Sequence, residues 1–330
     1  MQRRVRLLLP RHVDSTLVYQ RYYALGFQEL GVGAVSGGPL AARVFRSPSM
    51  RLLAALRLAR GSSPGFVGRY VAELDGQKVR FAIDAHDARF VRDEGALAWS
   101  DVYFKANRWP GEEYPEKVRP IVNGNGVLDA ARIEFLRSLR DAHRDVDVSF
   151  VARMHGGRPH TLAMFEALAS LDCRADLLAI LPPGFDDDAE YEGRLRELGV
   201  TVSRDELPPE ELWRRLARAK VVVARSGRHL CISWRMIDLL ALGACVVHDA
   251  PPLPEWPTPL AAGVHYEDGG IRRPLDGTAA PEEDYARFAA AVAALVADAG
   301  RAAALRAEAA RYFDEHAAPR RVAEWVLGAL

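Results

Sequence analysis

The stretch Arg225-Ser-Gly-Arg-His-Leu-Cys-Ile-Ser-Trp-Arg235, running on into Met236-Ile-Asp-Leu-Leu-Ala-Leu-Gly-Ala-Cys-Val-Val-His-Asp249, decides how this chain is read. Just before it, residues 221–224 are a short apolar run with the composition of a buried strand. A polar loop follows. Apolar spacing then predicts a helix over 235–242, with Asp238 in its first turns and Gly243 ending it. Residues 245–248 are a second apolar strand, closed by His248-Asp249. Strand, loop, helix, strand is the repeating unit of a parallel α/β sheet, whose ligands bind beyond the carboxyl ends of the strands. Arg225, Arg228 and Arg235 place three cations around one such loop. A diphosphate suits forked donors at a helix start. The competing reading is a set of surface ion pairs with nearby acids, and for Asp238 a solvent-facing acid that stabilises a helix N-terminus.

The same alternation extends back through the second half. Helices are predicted over 128–143, to about residue 170 after a loop at 155–160, over 191–198 and over 208–219, with strands over 147–154, 175–181 and 200–203. Helices close the chain from about residue 282. The pattern implies a parallel sheet covered on both faces. Its first strand runs into Arg153-Met-His-Gly-Gly-Arg158. Gly156 and Gly157 let the backbone approach a ligand, and the amides opening the next helix can bind phosphate oxygens. Arg153 or Arg158 would add a forked donor.

Residues 215–250 resemble the donor-binding segment of GT-B glycosyltransferases, most closely the group with exostosin-like and spore-maturation-protein-like members. The likeness is diffuse over 146–215. In the first half it rests on Asp101-Val-Tyr-Phe-Lys105 and Lys117-Val-Arg-Pro120. The resemblance implies an α/β GT-B fold, two Rossmann-like domains with parallel sheets facing across a cleft. Residues 1–122 would be the acceptor-side domain and 123–330 the nucleotide-sugar-binding domain, with the closing helices free to pack back on the first. Asp238 falls where the family has a ribose-binding glutamate, one methylene longer. Ser233 and Arg235 fall on the diphosphate contacts, with Arg225, Ser226 and Arg228 in the same donor loop. Retaining members often carry a further glutamate at the position held here by Leu230, so an inverting mechanism is expected.

In the first half, residues 4–9 read as a buried strand and 16–30 as a helix. Residues 69–84 read as a β-hairpin turning at Asp75-Gly76. A strand over 101–105 precedes the Pro- and Gly-rich passage 109–126, the best candidate for a linker. An inverting transfer needs a base for the acceptor proton. His12, oriented by Asp14, is one candidate, and Asp84 or Asp87 after the hairpin is the other. The plain alternatives are a surface histidine and a capped loop.

The 330 residues suit two domains. Acidic and basic residues balance at 44 each, which speaks against nucleic acid as a partner. Residues 1–60 nevertheless hold ten arginines against Asp14 and Glu29, and 43–60 could rest on an anionic membrane surface or be an ordinary packed helix. Asp186, Asp187 and Asp188 read as a solvated loop. Cys173, Cys231 and Cys245 fit neither a zinc site nor a disulfide framework. With no apolar run long enough for a signal peptide near the start, the expected location is cytoplasmic, peripheral to the inner face of a membrane. His155 and His160 lack an evident third ligand, so no metal and no cofactor are expected. The expected reaction moves a sugar from a nucleotide diphosphate sugar to a hydroxyl of a glycan, lipid-linked, protein or small-molecule acceptor. A nucleotide-sugar epimerase or hydrolase, or a non-catalytic nucleotide-sugar-binding protein, remains the alternative.

Overall fold

The computed structural model describes residues 4–8, 16–36, 66–155, 157–182, 184, 187–250, 254–272, 274 and 278–330. His12, Asp14, Gly156 and residues 43–60 lie outside the described residues. The chain forms two compact units. One is Met1–Ile133 with Leu253–Pro259 and Asp314–Leu330, and the other is Glu134–Pro252 with Leu260–Phe313.

The first unit holds β1 (Arg4–Leu8), α1 (Thr16–Glu29), β2 (Gly33–Ser36), β3 (Val67–Leu74), β4 (Gln77–Asp84), α2 (Glu94–Trp99), β5 (Val102–Lys105) and β6 (Val118–Pro120). These strands make one sheet in the order β2-β1-β3-β4-β5-β6. The hairpin forms as its sequence requires. Asp75 (φ 52°) and Gly76 (φ 84°) both take left-handed backbone, the geometry of the tight turn that matches strand twist. That turn makes the first sheet mixed. β3 runs antiparallel to both β1 and β4, because a two-residue connection can only reverse the chain. The remaining pairs are parallel. Tyr70 and Phe81 stack at 4.9 Å across the hairpin, with Phe27 of α1 against both.

Helix α3 (Ala130–Ser138) carries the chain out of the first unit, so the division falls within it rather than at residue 122. The second unit continues with β7 (Val146–Arg153), α4 (Arg158–Ala169), β8 (Ala175–Ile180), α5 (Asp188–Glu197), β9 (Thr201–Ser203), α6 (Pro209–Ala217), β10 (Ala219–Ala224), α7 (Arg235–Leu242), β11 (Val246–His248), β12 (Glu267–Asp268), α8 (Glu282–Ala297) and α9 (Ala299–Tyr312). The closing helix, α10 (Pro319–Gly328), belongs to the first unit and packs on α1. Gly26 makes that approach possible, since a Cβ there would run into the Pro319 carbonyl.

All strands of the second sheet are parallel, in the order β12-β11-β10-β7-β8-β9. Read from β7 outward, this is the doubly wound order, whose direction reverses between β7 and β10. Val148, Phe150, Val221 and Val247 on the strands pack with Met164, Phe165 and Phe288 on the helices. Each such side chain contributes about 1.5–3 kcal/mol by leaving water. Gly243 (φ 62°) ends α7 in the left-handed conformation that the Leu-Gly-Ala turn predicts. Among the described residues no single helix is long and apolar enough to cross a membrane.

Candidate functional site

Where β7 and β10 lie side by side, their chains leave the sheet in opposite directions and open a crevice beyond the strand ends. Two loops border it. After β7, Gly157 takes φ 63° and starts α4, with Pro159 in the first turn, where its missing N–H is harmless. After β10 comes the arginine loop. One turn of it is closed by the Gly227 amide donating to the Cys231 carbonyl at 2.9 Å. His229 (φ 62°) and Leu230 (φ 54°) are both left-handed there. Each such non-glycine residue costs roughly 1–3 kcal/mol and persists only where its surroundings impose it. Cys231 and Ile232, buried just beyond, supply that constraint. Arg225 joins the two loops. Its Nη1 donates to Thr161 Oγ1 on α4, and its Nη2 to the Arg153 carbonyl at 3.4 Å.

Beneath the loops lies Asp249, fully buried at the end of β11. Its Oδ1 accepts from the Ser226 amide (2.8 Å), the Ser226 hydroxyl (2.9 Å) and the Ala250 amide (2.8 Å). Its Oδ2 lies 3.0 Å from His160 Nε2, and His160 Nδ1 lies 2.8 Å from the Tyr285 hydroxyl. Burial alone would raise the Asp249 pKa. The hydrogen bonds from His160 and His248 outweigh it and hold the carboxyl well below its ordinary value. Asp249 thus fixes the arginine loop through Ser226 and the start of α4 through His160. The His-Asp pair at the end of β11 and a histidine in the first turn of α4 are the sequence signals for this hub. His160 reads instead as half of a weak metal pattern. Among the described residues no group of three or more His, Cys, Asp or Glu is gathered to hold a metal ion.

The structure separates the candidate arginines. Arg158 is 6 % exposed and is held by Asp187 and by Asp188, the latter at 2.7 Å, while lying over the Tyr191 ring. Its guanidinium therefore braces α5 against α4, and the acidic run is in part its counter-charge rather than a solvated loop. Arg153 pairs with Glu206 at 2.6 Å on the surface. The side chain of Arg228 lies outside the described residues. Arg235 differs from the rest. Its Nη1 donates to the Val151 carbonyl near the end of β7 at 2.6 Å. Among the described residues no carboxylate pairs with it. Burial pulls its pKa below the ordinary value, while the charges of Asp238 and Glu206 act the other way. Ser233 Oγ accepts from the Arg235 amide at 3.4 Å, a weak bond at the start of α7.

Asp238, the expected ribose contact, is placed as follows. It is 6 % exposed, and its Oδ2 accepts from the Trp213 indole N–H at 3.1 Å. It lies on the side of α7 that meets α6, so this carboxylate ties the two helices together.

Of the acids after the hairpin, Asp84 is wholly buried. It accepts from the His86 amide (2.8 Å), the Tyr103 hydroxyl (2.9 Å) and Lys105 Nζ (3.2 Å), which is equally buried. An ion pair so enclosed is part of the unit's core. Asp87 is partly exposed, with its Oδ1 3.4 Å from His86 Nδ1. Burial pushes the His86 pKa down.

No protein-family model and no curated protein matches the sequence. Solved structures do. A glycosyltransferase from Rickettsia africae ESF-5 superposes with a TM-score of 0.52 at 10% identity, covering 97% of this chain and 95% of that one. Sucrose-phosphate synthase from Thermosynechococcus elongatus gives a TM-score of 0.49 at 16% identity, over 72% of this chain and 61% of that one. HepE from Anabaena, in complex with UDP and glucose, gives 0.46 at 12% identity, over 69% of this chain and 62% of that one. The chain thus spans about three fifths of the length of the last two. The fold is GT-B. Nothing in these likenesses singles out the exostosin-like group.

Proposed function

We propose that this protein transfers a sugar from a nucleotide diphosphate sugar to a hydroxyl acceptor, with the donor diphosphate seated in the crevice beyond β7 and β10. One observation carries the reading. Arg235 is a partly buried guanidinium at the switch point of a doubly wound sheet, and among the described residues no carboxylate forms an ion pair with it. The helix starts at Gly157 and Trp234 add the positive ends of two dipoles to the same crevice. Such an arrangement favours a dianion, and still more the charge that develops on a leaving diphosphate. A fold by itself does not fix a reaction, so the weight rests on these residues.

In this reading Arg235 and the helix amides stabilise the leaving group without a metal ion. Arg225 keeps the two loops in register. Leu230 leaves no carboxylate at its position to face the sugar, which favours inversion. The base is then Asp87, or His12 with Asp14. Asp87 keeps a partly exposed carboxylate. The test is nucleotide release from UDP-, GDP-, dTDP- and ADP-sugars, with chelator or magnesium, with and without a mixture of glycan acceptors. One donor should turn over only when acceptor is present, and Arg235→Ala should lower the rate about 100-fold or more, as loss of one preorganised donor does. Free sugar formed at the same rate without acceptor would make the protein a hydrolase. Unchanged turnover in Arg235→Ala would remove the crevice as the site.

A further inference from the structure

A second cavity, of about 200 Å³, lies wholly within the first unit. Val122 and Val322, both almost completely buried, form its apolar floor. Trp325 of α10 lines it and keeps 40 % exposure, although tryptophan is a residue that folding normally covers. Its indole N–H donates to the Pro120 carbonyl at 3.2 Å, which fixes the ring by its edge. The rim carries charge. Arg321 is matched by Glu324 at 2.7 Å, and Glu324 also accepts from Arg320 at 3.2 Å. Glu315 is different. Its side chain is 58 % exposed, and among the described residues its partner is His316 at 3.9 Å. Glu315 stands in a π-helical turn, Phe313–Ala317, a distortion that recurs at functional sites.

We propose that this cavity binds one ring of a neutral saccharide, its C–H face laid on Trp325 and its hydroxyls bonded to Glu315 and Arg321. The chemistry excludes the other classes. A phosphate would meet a cation already neutralised by Glu324 and, on the same rim, the Glu315 carboxylate, whose partner among the described residues is His316 at 3.9 Å. A metal ion would find one open carboxylate where calcium takes six to eight oxygens. A purely apolar ligand would bury charged groups without bonding them. A sugar needs what is present: an aromatic surface, an acceptor and donors on one rim. The volume is below the roughly 300–1,000 Å³ of pockets for larger ligands, which suits a single ring with the rest of the chain outside. In a transferase the cavity anchors an acceptor glycan. That role rests on the proposed function, whereas saccharide binding itself does not.

The full-length protein, without nucleotide, is titrated by calorimetry and saturation-transfer NMR. The probes are methyl glycosides of glucose, galactose, mannose and N-acetylglucosamine, and the trisaccharides maltotriose, cellotriose and chitotriose. At least one should bind. Trp325→Ala and Glu315→Ala should each weaken it about tenfold or more, equivalent to about 1.4 kcal/mol. Trp325→Ala also loses the bond to Pro120, so Glu315→Ala, at an exposed position, decides if the first variant fails to fold. Binding of none of these sugars overturns the inference, as does binding that Glu315→Ala leaves intact. Nucleotide affinity is measured on the same wild-type sample. Sugar binding without nucleotide binding upholds this inference and overturns the transferase reading, and the reverse overturns this inference alone.

Discussion

Replacing Asp249 should separate two contributions, its hydrogen bonds and its charge. In Asp249→Ala, the Ser226 amide and hydroxyl, the Ala250 amide and His160 Nε2 all lose their acceptor inside a fully buried site. Breaking such a buried charged set costs about 3–5 kcal/mol. For a unit of this size, about 2–4 °C of melting temperature per kcal/mol gives a fall of about 6–20 °C. Asp249→Asn keeps an oxygen for the three donors on Oδ1. Its amide can also donate to His160 once that ring carries its proton on Nδ1, towards Tyr285. The loss should then be about 1–2 kcal/mol, the worth of charge-assisted over neutral bonds. The charge has its own signature. The folded pKa of Asp249 lies below the unfolded value of about 3.9, so its stabilisation is present above that value and is lost as pH falls below it. Calorimetric scans from neutral to about pH 3 should show this acid-side loss in the wild type and a smaller one in Asp249→Asn. Equal melting temperatures for all three proteins would refute the hub.

Three further outcomes follow from the same reasoning. Lys105→Met should destabilise the first unit by about 3–5 kcal/mol in urea titration, because it strands the buried Asp84 carboxylate, and adding Asp84→Asn should recover most of that. A double variant no better than the single one would contradict the paired reading. Asp238→Asn keeps an acceptor for Trp213 and should leave nucleotide affinity within about twofold, whereas a loss of tenfold or more would restore its ribose contact. Burial pushes the Cys245 thiol up to about 11, so iodoacetamide at about pH 8 should label it only after unfolding; modification in the native protein would show that the helices over β11 open readily.

The second unit was legible because each of its elements carries a local signal. The apolar runs of β7, β8 and β10 are buried on both faces, and the Gly243 turn announces where α7 stops. The hairpin was equally clear from Asp75-Gly76. Its consequence for the first sheet, an antiparallel β3, follows from the hairpin's own geometry, whereas the strand–helix alternation that predicts a parallel sheet belongs to the second unit. Side-chain partners were a different matter. Arginines look alike in sequence, yet the partner each one finds depends on groups brought near by folding. Arg158 meets Asp187 and Asp188 only because α5 starts beside α4. Asp238 turns toward Trp213 because α6 lies on that side of α7. Asp84 looks like a loop acid until Lys105 arrives from the neighbouring strand. Local pattern specifies elements, whereas the chemistry of each polar group is set by tertiary neighbours.

The proposed function requires that a nucleoside diphosphate bind at Arg235 in the crevice beyond β7 and β10. Calorimetric titration of UDP, GDP, dTDP and ADP, into wild type and Arg235→Ala, tests it most directly. One diphosphate should bind the wild type at micromolar to millimolar concentration. Affinity should fall about tenfold or more in the variant, with the fold intact. Binding of none of the four, or equal affinity in both proteins, would contradict it.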